Sequence, residues 1–245
     1  MNAFIKTTAA TAALLGFVTA TAAINAQAQE NAARAKKRQP SPALAPIEDV
    51  AGLPRVLLIG DSISIGYTLP VREALKGKAN VHRPAANCGP TTTGLTSIDQ
   101  WLGEKKWDVI HFNWGLHDMK FVSDGGGSSK QAEQHRQVAP QEYERNLQQL
   151  VARLQETGAK LIWRNTTPVP QGAAARVVDD AAKYNAIAEK IMKQHNIQIH
   201  DLYSFVQPRA DELMLKENVH FTAEGYDALA QEVAAVILRA IDDVK

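Results

Sequence analysis

Two residues far apart in the sequence could together carry out nucleophilic catalysis. Ser62 follows Gly60 and Asp61 directly after a short apolar run, and His220 lies just before a long apolar-periodic segment. A serine between a strand and a helix lies beside free backbone N–H groups that can stabilise an oxyanion. Imidazole is the usual base for a serine hydroxyl at neutral pH. Each residue alone has a structural alternative, an N-cap for Ser62 and a loop residue for His220, so catalysis requires a fold that brings them together.

Alternating strand and helix patterns predict such a fold. Short apolar runs that end at turn residues predict strands over residues 55–59, 80–82, 107–113, 160–165 and 197–202. Apolar residues at helical spacing predict helices over residues 141–156, 179–195 and 222–242. This alternation is typical of the α/β class, so we expect a three-layer α/β/α sandwich with a mainly parallel, flavodoxin-like sheet. Ser62 and His220 would then both face the carboxyl edge of the sheet.

Four short motifs resemble, in their order, the conserved blocks of the GDSL, or SGNH, hydrolases. GDSI (60–63) resembles the block that carries the nucleophilic serine, and ENVH (217–220) stands where the family has an Asp-x-x-His block. WGLHD (114–118) resembles the Gly-x-Asn-Asp block, and ANCGPT (86–91) falls where a second block supplies a glycine N–H. The resemblance spans about residues 55–238 and implies the SGNH hydrolase fold and a serine esterase activity.

The resemblance also implies roles for individual residues. Ser62 would be the nucleophile, His220 the base and Glu217 the carboxylate that orients His220. The oxyanion hole would be formed by Ser62, Gly89 and His117. His117 stands where the family has asparagine, and Glu217 where it has aspartate. A neutral imidazole can still donate one N–H, and a carboxylate of either length can orient an imidazole.

Several of these residues could have a structural role instead of a functional one. His117 could pack within a loop, Gly89 could be a turn residue, and Glu217 could be an exposed charge while a backbone carbonyl holds the catalytic histidine. Trp114 could be a substrate-binding platform for a sugar or could pack under its loop. The glycine-rich segment 121–139 is either a mobile rim of the site or a surface insertion.

The first 28 residues form a candidate export signal. Residues 7–24 are an uncharged run rich in Ala and Thr, and Ala26-Gln27-Ala28 fits a signal-peptidase site with cleavage after Ala28. The alternative is a transmembrane anchor. We therefore expect a signal peptide over residues 1–28, a flexible leader over 29–51 and a catalytic domain over 52–245. The mature protein would be secreted or periplasmic, with no stable membrane insertion.

The composition argues against several kinds of partner and bound group. The chain has 245 residues and a formal net charge of +1, which argues against a nucleic-acid partner. Its single cysteine, Cys88, excludes an internal disulfide. The histidines outside the motifs lack metal-ligand spacing, so the sequence implies no metal and no cofactor.

The expected partner is a small-molecule or carbohydrate ester. The family includes carbohydrate acetylesterases, lysophospholipases, thioesterases and arylesterases. Export, a polar rim and Trp114 favour removal of acetyl groups from carbohydrate. The alternatives are a lipid or general short-chain esterase, an acyltransferase that uses the same serine, and a non-catalytic glycan-binding protein on the same fold.

Overall fold

The computed structural model describes residues 41–123 and 134–243. The predicted signal peptide, the leader up to residue 40 and the centre of the glycine-rich segment therefore lie outside the described residues. From Pro42 onward the described residues belong to one unit. Within this part of the chain, no helix has both the length and the apolar character needed to cross a membrane.

A parallel sheet of five strands forms the centre of the fold. The strands of the described residues are β1 (Arg55–Ile59), β2 (Asn80–His82), β3 (Val109–Phe112), β4 (Phe121–Ser123), β5 (Gln134–Arg136), β6 (Lys160–Arg164) and β7 (Gln198–His200). The central sheet has the order β2-β1-β3-β6-β7 with every neighbouring pair parallel, and β4 and β5 form a separate antiparallel pair. Every residue of β3 is buried, as expected for a strand covered on both faces.

Helices cover both faces of the sheet. They are α1 (Ser62–Ala74), α2 (Thr91–Leu102), α3 (Pro140–Gln155), α4 (Asp180–Gln194), α5 (Leu202–Val206), α6 (Ala210–Leu213) and α7 (Ala223–Asp242). On one face, His111 of β3 contacts Tyr67 of α1, and α1 packs against α7. On the other face, Phe112 contacts the ring of Trp114, which lies against Gly94 of α2. The predicted three-layer α/β/α sandwich is confirmed.

The predicted helices agree with α3, α4 and α7 to within one residue at each end. The start of α7 follows from capping, because the Thr222 hydroxyl accepts a hydrogen bond from Gly225 N at 2.9 Å. The predicted strands 107–113 and 197–202 are longer than β3 and β7. Backbone hydrogen bonds to β1 nevertheless continue past β3, because Asp108 N donates to Arg55 O at 2.9 Å and Asn113 N to Ile59 O at 3.1 Å.

Residues 49 and 50, which the sequence assigns to the flexible leader, are bonded to the sheet in the structure. The Asp49 carboxylate contacts His82 at 2.6 Å, Arg55 at 3.1 Å and Lys105 at 3.2 Å. The side chain of Asn80 bonds the backbone N and O of Val50 at 2.9 and 3.0 Å. These bonds attach residues 49 and 50 to the sheet, so the packed part of the chain begins before residue 52.

Candidate active site

The turn between β1 and α1 brings Ser62 to the carboxyl edge of the sheet. Asp61 is the N-cap of α1, and its side chain accepts a hydrogen bond from Ile63 N at 3.0 Å. Ser62 is the first helical residue, so its own N–H has no acceptor within the helix. A Cβ on Gly60 would lie 2.8 Å from Cβ of Ser64, so this sharp turn requires glycine. The turn thus combines a hydroxyl, a free N–H and the positive end of a helix.

Arg83 holds the same turn from inside the protein. It is buried, and its guanidinium donates to the carbonyl oxygens of Gly60 at 3.2 Å and Ala86 at 3.1 Å. The same group donates to the hydroxyls of Ser64 at 3.2 Å and Thr68 at 3.1 Å. Burial lowers the pKa of this guanidinium. Sequence reasoning missed Arg83 because it belongs to no motif and its bonds join segments that are distant in the chain.

His220 lies within hydrogen-bond distance of Ser62. Its Nε2 is 2.9 Å from Ser62 Oγ, and its Nδ1 is 2.8 Å from Oδ1 of Asn218. The same Oδ1 accepts a hydrogen bond from the backbone N–H of His220 at 3.1 Å, which identifies this amide atom as an acceptor. Nδ1 must therefore carry the proton of the neutral ring. Nε2 is then unprotonated and faces the serine hydroxyl as a base.

The loop before α7 positions this histidine. Leu215 N donates to the carbonyl oxygen of His220 at 2.9 Å, and Thr222 N donates to that of Leu213 at 2.9 Å. A β-bridge joins Met214 and Phe221 within the same loop. The ring of His220 is therefore carried on a short antiparallel turn that is tied to the N-terminus of the last helix.

Glu217 does not lie where the sequence analysis placed it. It has a φ of 53°, its side chain is exposed, and a Cβ on Gly172 would lie 2.6 Å from its Cγ. The partner of His220 is the side chain of Asn218, which replaces both the predicted carboxylate and the alternative backbone carbonyl. The cause is local, because Asn218 Oδ1 closes an Asx-turn onto the N–H two residues later. An asparagine two positions before the histidine is the sequence signal that could have revealed it.

His117 follows β3 and is half-buried. Burial lowers its pKa; the Asp61 carboxylate opposes this shift, and the positive charges of Arg176, Lys120 and His220 add to it. The imidazole is therefore neutral at pH 7 and can donate one N–H. His117 follows β3, which lies parallel to and beside β1, so it extends from the same carboxyl edge of the sheet as Ser62.

Gly89 does not fit the predicted role of oxyanion donor. Its N–H donates to Oδ1 of Asn87 at 3.0 Å, and its φ of 58° lies in the left-handed region. Both features belong to a tight turn before α2. The N–H that the prediction assigned to the oxyanion is thus already bonded within the turn.

Trp114 does not fit the predicted role of sugar platform. The residue is 1% exposed, and a Cβ on Gly94 would lie 3.0 Å from its ring atoms. Its carbonyl oxygen accepts a hydrogen bond from the Tyr143 hydroxyl at 3.0 Å. Trp114 therefore packs under its loop, the alternative that the sequence analysis left open.

Asp118, the last residue of the WGLHD motif, connects this loop to α2. Its Oδ1 accepts hydrogen bonds from the backbone N and the hydroxyl of Thr91 at 2.8 and 2.5 Å. Burial raises the pKa of the carboxyl to about 6. The side chain therefore supports the loop that carries His117. In the described part of the chain, no cluster of three or more His, Cys, Asp or Glu side chains could hold a metal ion.

This arrangement defines a class of enzyme. Parallel α/β sheets bind their ligands at the carboxyl edge of the strands, and a hydroxyl within reach of an oriented base is typical of acyl-transferring hydrolases. A model of the GDSL-like lipase/acylhydrolase family matches residues 58–228, more than half of the chain. The chain belongs to this family and is a carboxylic ester hydrolase. The resemblance inferred from the motifs is confirmed.

Solved structures show the same fold at low sequence identity. A lipase/acylhydrolase from Enterococcus faecalis has a TM-score of 0.62 and 18% identity, over 76% of this chain and 96% of that one. An acetylxylan esterase from Geobacillus stearothermophilus has a TM-score of 0.60 and 16% identity, over 80% and 96%. A putative arylesterase from Agrobacterium tumefaciens has a TM-score of 0.57 and 17% identity, over 79% and 100%. A search of curated protein sequences found no match.

Proposed function

We propose that the protein is an exported serine esterase that removes short acyl groups, chiefly acetyl, from carbohydrate esters. The observation that carries the proposal is the contact of 2.9 Å between Ser62 Oγ and Nε2 of His220, with Nδ1 held by Asn218. This geometry supplies a nucleophile, a base of defined tautomer and an orienting partner. Export rests on the signal-like residues 1–28, and a mature N-terminus at Gln29 would support it.

In the proposed mechanism, Nε2 of His220 accepts the proton of the Ser62 hydroxyl as Oγ attacks the ester carbonyl. The Ser62 N–H and the neutral His117 ring donate to the oxyanion that forms. The C–O bond to the alcohol then breaks, and the imidazolium returns its proton to the departing oxygen. Water, deprotonated by His220, attacks the acyl-enzyme and releases the acid and free serine. Asn218 orients the ring throughout without becoming charged.

A short acyl group suits the surface around the site. Within the described residues, the exposed large apolar side chains are Val50, Leu69, Val177, Val178 and Leu215. Of these five, Leu215 lies in the loop that carries His220, and one such side chain is too few to line a channel for a long acyl chain. The fold shared with an acetylxylan esterase adds support for acetyl removal from carbohydrate, whereas the fold shared with an arylesterase keeps a general short-chain esterase as the second candidate.

The proposal is tested by hydrolysis of nitrophenyl esters with acyl chains of two, four and eight carbons. We expect turnover that falls steeply with chain length and that Ser62→Ala lowers by about 10⁴-fold or more. Glu217→Gln is the matched control, and it should retain wild-type turnover because Glu217 does not contact His220. Turnover that is flat or rises with length would favour a lipid esterase, and turnover that survives in Ser62→Ala would overturn the mechanism.

A further inference from the structure

Arg176 is a cation beside the loop that carries His117, and neither the mechanism nor the motifs use it. Its side chain is half-buried, with Nε donating to the Leu116 carbonyl oxygen at 3.1 Å and Nη1 to that of Ala174 at 3.3 Å. Its charge acts on His117 and interacts with Asp61. The guanidinium therefore lies beside the loop that carries the candidate oxyanion donor.

Among the described residues, Arg176 differs from its neighbours because it has no carboxylate partner. Arg136 contacts Asp180 at 2.6 Å, and Lys183 contacts the same carboxylate at 3.4 Å. Across residues 41–123 and 134–243, no acidic side chain forms an ion pair with Arg176, and both of its acceptors are neutral carbonyls. A guanidinium has five N–H donors, so Nη2 and part of Nη1 remain available. A partly desolvated cation with free donors is suited to bind an anion.

The segment that carries Arg176 is held in place and adjoins open space. Ala175 has a φ of 56°, and its carbonyl oxygen accepts a hydrogen bond from Phe121 N at 2.8 Å, which ties the segment to β4. Phe121, Gln134, Ala175, Arg176 and Val177 line a cavity of about 240 Å³. The guanidinium is thus fixed between this cavity and the His117 loop.

We propose that Arg176 is a specificity-determining residue that binds a carboxylate on the alcohol portion of the substrate. The inference rests on the proposed esterase function and narrows its substrates to acylated acidic sugars, meaning sugars that carry a carboxylate. The anion belongs to the alcohol portion because the acyl group is short and enters beside Ser62. Arginine matches a carboxylate with two parallel N–H···O bonds, which fixes the orientation of the sugar as well as its charge.

The test compares two substrates that differ only at C6 of the sugar, which is a carboxylate in one and a neutral hydroxymethyl group in the other. Acetate release is measured from methyl glucuronoside and methyl glucoside that carry one acetyl group at the same position. We expect the wild type to prefer the glucuronoside in kcat/KM by about tenfold or more, mainly through KM, since hydrogen bonds between two charged groups are stronger than those between neutral ones. Arg176→Gln should reduce the ratio to about one, and Arg176→Lys should keep part of it. High salt should reduce the wild-type ratio.

Arg153→Gln is the matched control. It removes one positive charge from a half-buried arginine near the C-terminal end of α3, paired with Asp99 at 2.7 Å, and should leave the ratio unchanged. A structural role of Arg176 would lower the rates for both substrates together and leave their ratio unchanged, which would overturn the proposal. A wild-type ratio near one would also overturn it.

A binding measurement separates this inference from the proposed esterase activity. Ser62→Ala protein is titrated with the acetylated glucuronoside and glucoside, with and without Arg176→Gln. Tighter binding of the glucuronoside that depends on Arg176 supports the inference even if no ester is hydrolysed, in which case the proposed function alone fails. Equal binding of the two sugars overturns the inference even if nitrophenyl acetate is a good substrate.

Discussion

Two histidine sites in this protein have similar hydrogen bonds and different surroundings. His220, half-buried at the carboxyl edge of the sheet, has Nε2 at 2.9 Å from the Ser62 hydroxyl. His111, fully buried in the middle of β3, has Nε2 at 3.1 Å from Nδ1 of His200 on β7. Nδ1 of His220 has the Asn218 amide as a partner, whereas Nδ1 of His111 has none in the described part of the chain.

Burial decides what each pair can do. Desolvation lowers the pKa of His111 well below its ordinary value, and it lowers that of His200 to about 4, in each case with a further contribution from the charge of Arg164. His111 and His200, the interior pair, are therefore both neutral at pH 7. Their hydrogen bond connects β3 to β7 across β6. Ser62 and His220, the edge pair, instead have a nucleophile, a free N–H and access for a substrate. The position in the sheet, and not the residue type, separates a candidate base from a structural histidine.

Replacing a histidine of either pair with alanine should affect catalysis at the sheet edge and stability in the interior. His220→Ala should lower kcat by about 10⁴-fold with little change in the free energy of unfolding. His200→Ala should keep kcat within about threefold per folded molecule and lower the free energy of unfolding by about 1–3 kcal/mol, because His111 Nε2 loses its buried partner. Ester hydrolysis and urea unfolding measure the two quantities. His220→Ala activity above about one hundredth of wild type would contradict the assignment.

Replacing a third histidine, His117, tests its role as an oxyanion donor at the sheet edge. Loss of its N–H in His117→Ala should lower kcat by about 10²–10³-fold with a smaller effect on KM, since the donor acts on the oxyanion and not on the ground state. His117→Asn should recover most of the loss because an amide also donates an N–H. A loss below about threefold in the alanine variant would reject the donor role.

The interior pair should make the protein sensitive to acid. His200 has a folded pKa of about 4 against an ordinary value of 6.5, so the unfolded state binds more protons between these values. Its contribution to stability is therefore full above pH 6.5 and is lost as pH falls towards 4, by about 3 kcal/mol in total. Urea unfolding at pH 7.5, 6 and 5 measures the slope. The slope should be smaller in His200→Gln, and an equal slope in both proteins would contradict this account.

The smallest expected effect is that of replacing Asn218, whose amide orients His220. Asn218→Asp keeps the acceptor for Nδ1 and adds a negative charge that stabilises the imidazolium formed during the reaction. We expect kcat/KM to rise about tenfold and the acid limb of the pH–rate profile to move to higher pH. Asn218→Ala, which removes the acceptor, should move the rate in the opposite direction. An aspartate variant with an unchanged profile would show that Asn218 does not influence the base.

Much of the fold could be predicted from local patterns. The strand over Arg55–Ile59 follows from an apolar run that stops at glycine, and α7 follows from an N-cap threonine before a periodic apolar face. These signals depend on residues within a few positions of one another, so no knowledge of distant contacts is needed. Family membership also followed from short motifs in a fixed order, since each motif is local.

The site was less predictable because its details depend on the path of the backbone. Glu217 and Asn218 are adjacent, and the left-handed φ of Glu217 together with the Asx-turn at Asn218 decides which side chain meets the imidazole. Burial by α2 and α3 removed Trp114 from the surface. Arg83 and Arg176 act through hydrogen bonds to carbonyl oxygens in other segments, and carbonyl groups leave no signature in a sequence.

The sequence by itself determined the parallel α/β architecture and the placement of Ser62 and His220 at one edge, because strand ends and helix caps are set by neighbouring residues. Only the tertiary structure decided that His111 is buried against the ring of His200. It also decided which amide holds the base and which carbonyl oxygens hold the Arg176 guanidinium. These outcomes depend on depth and direction in the packed molecule, and both arise only when segments distant in sequence are brought together.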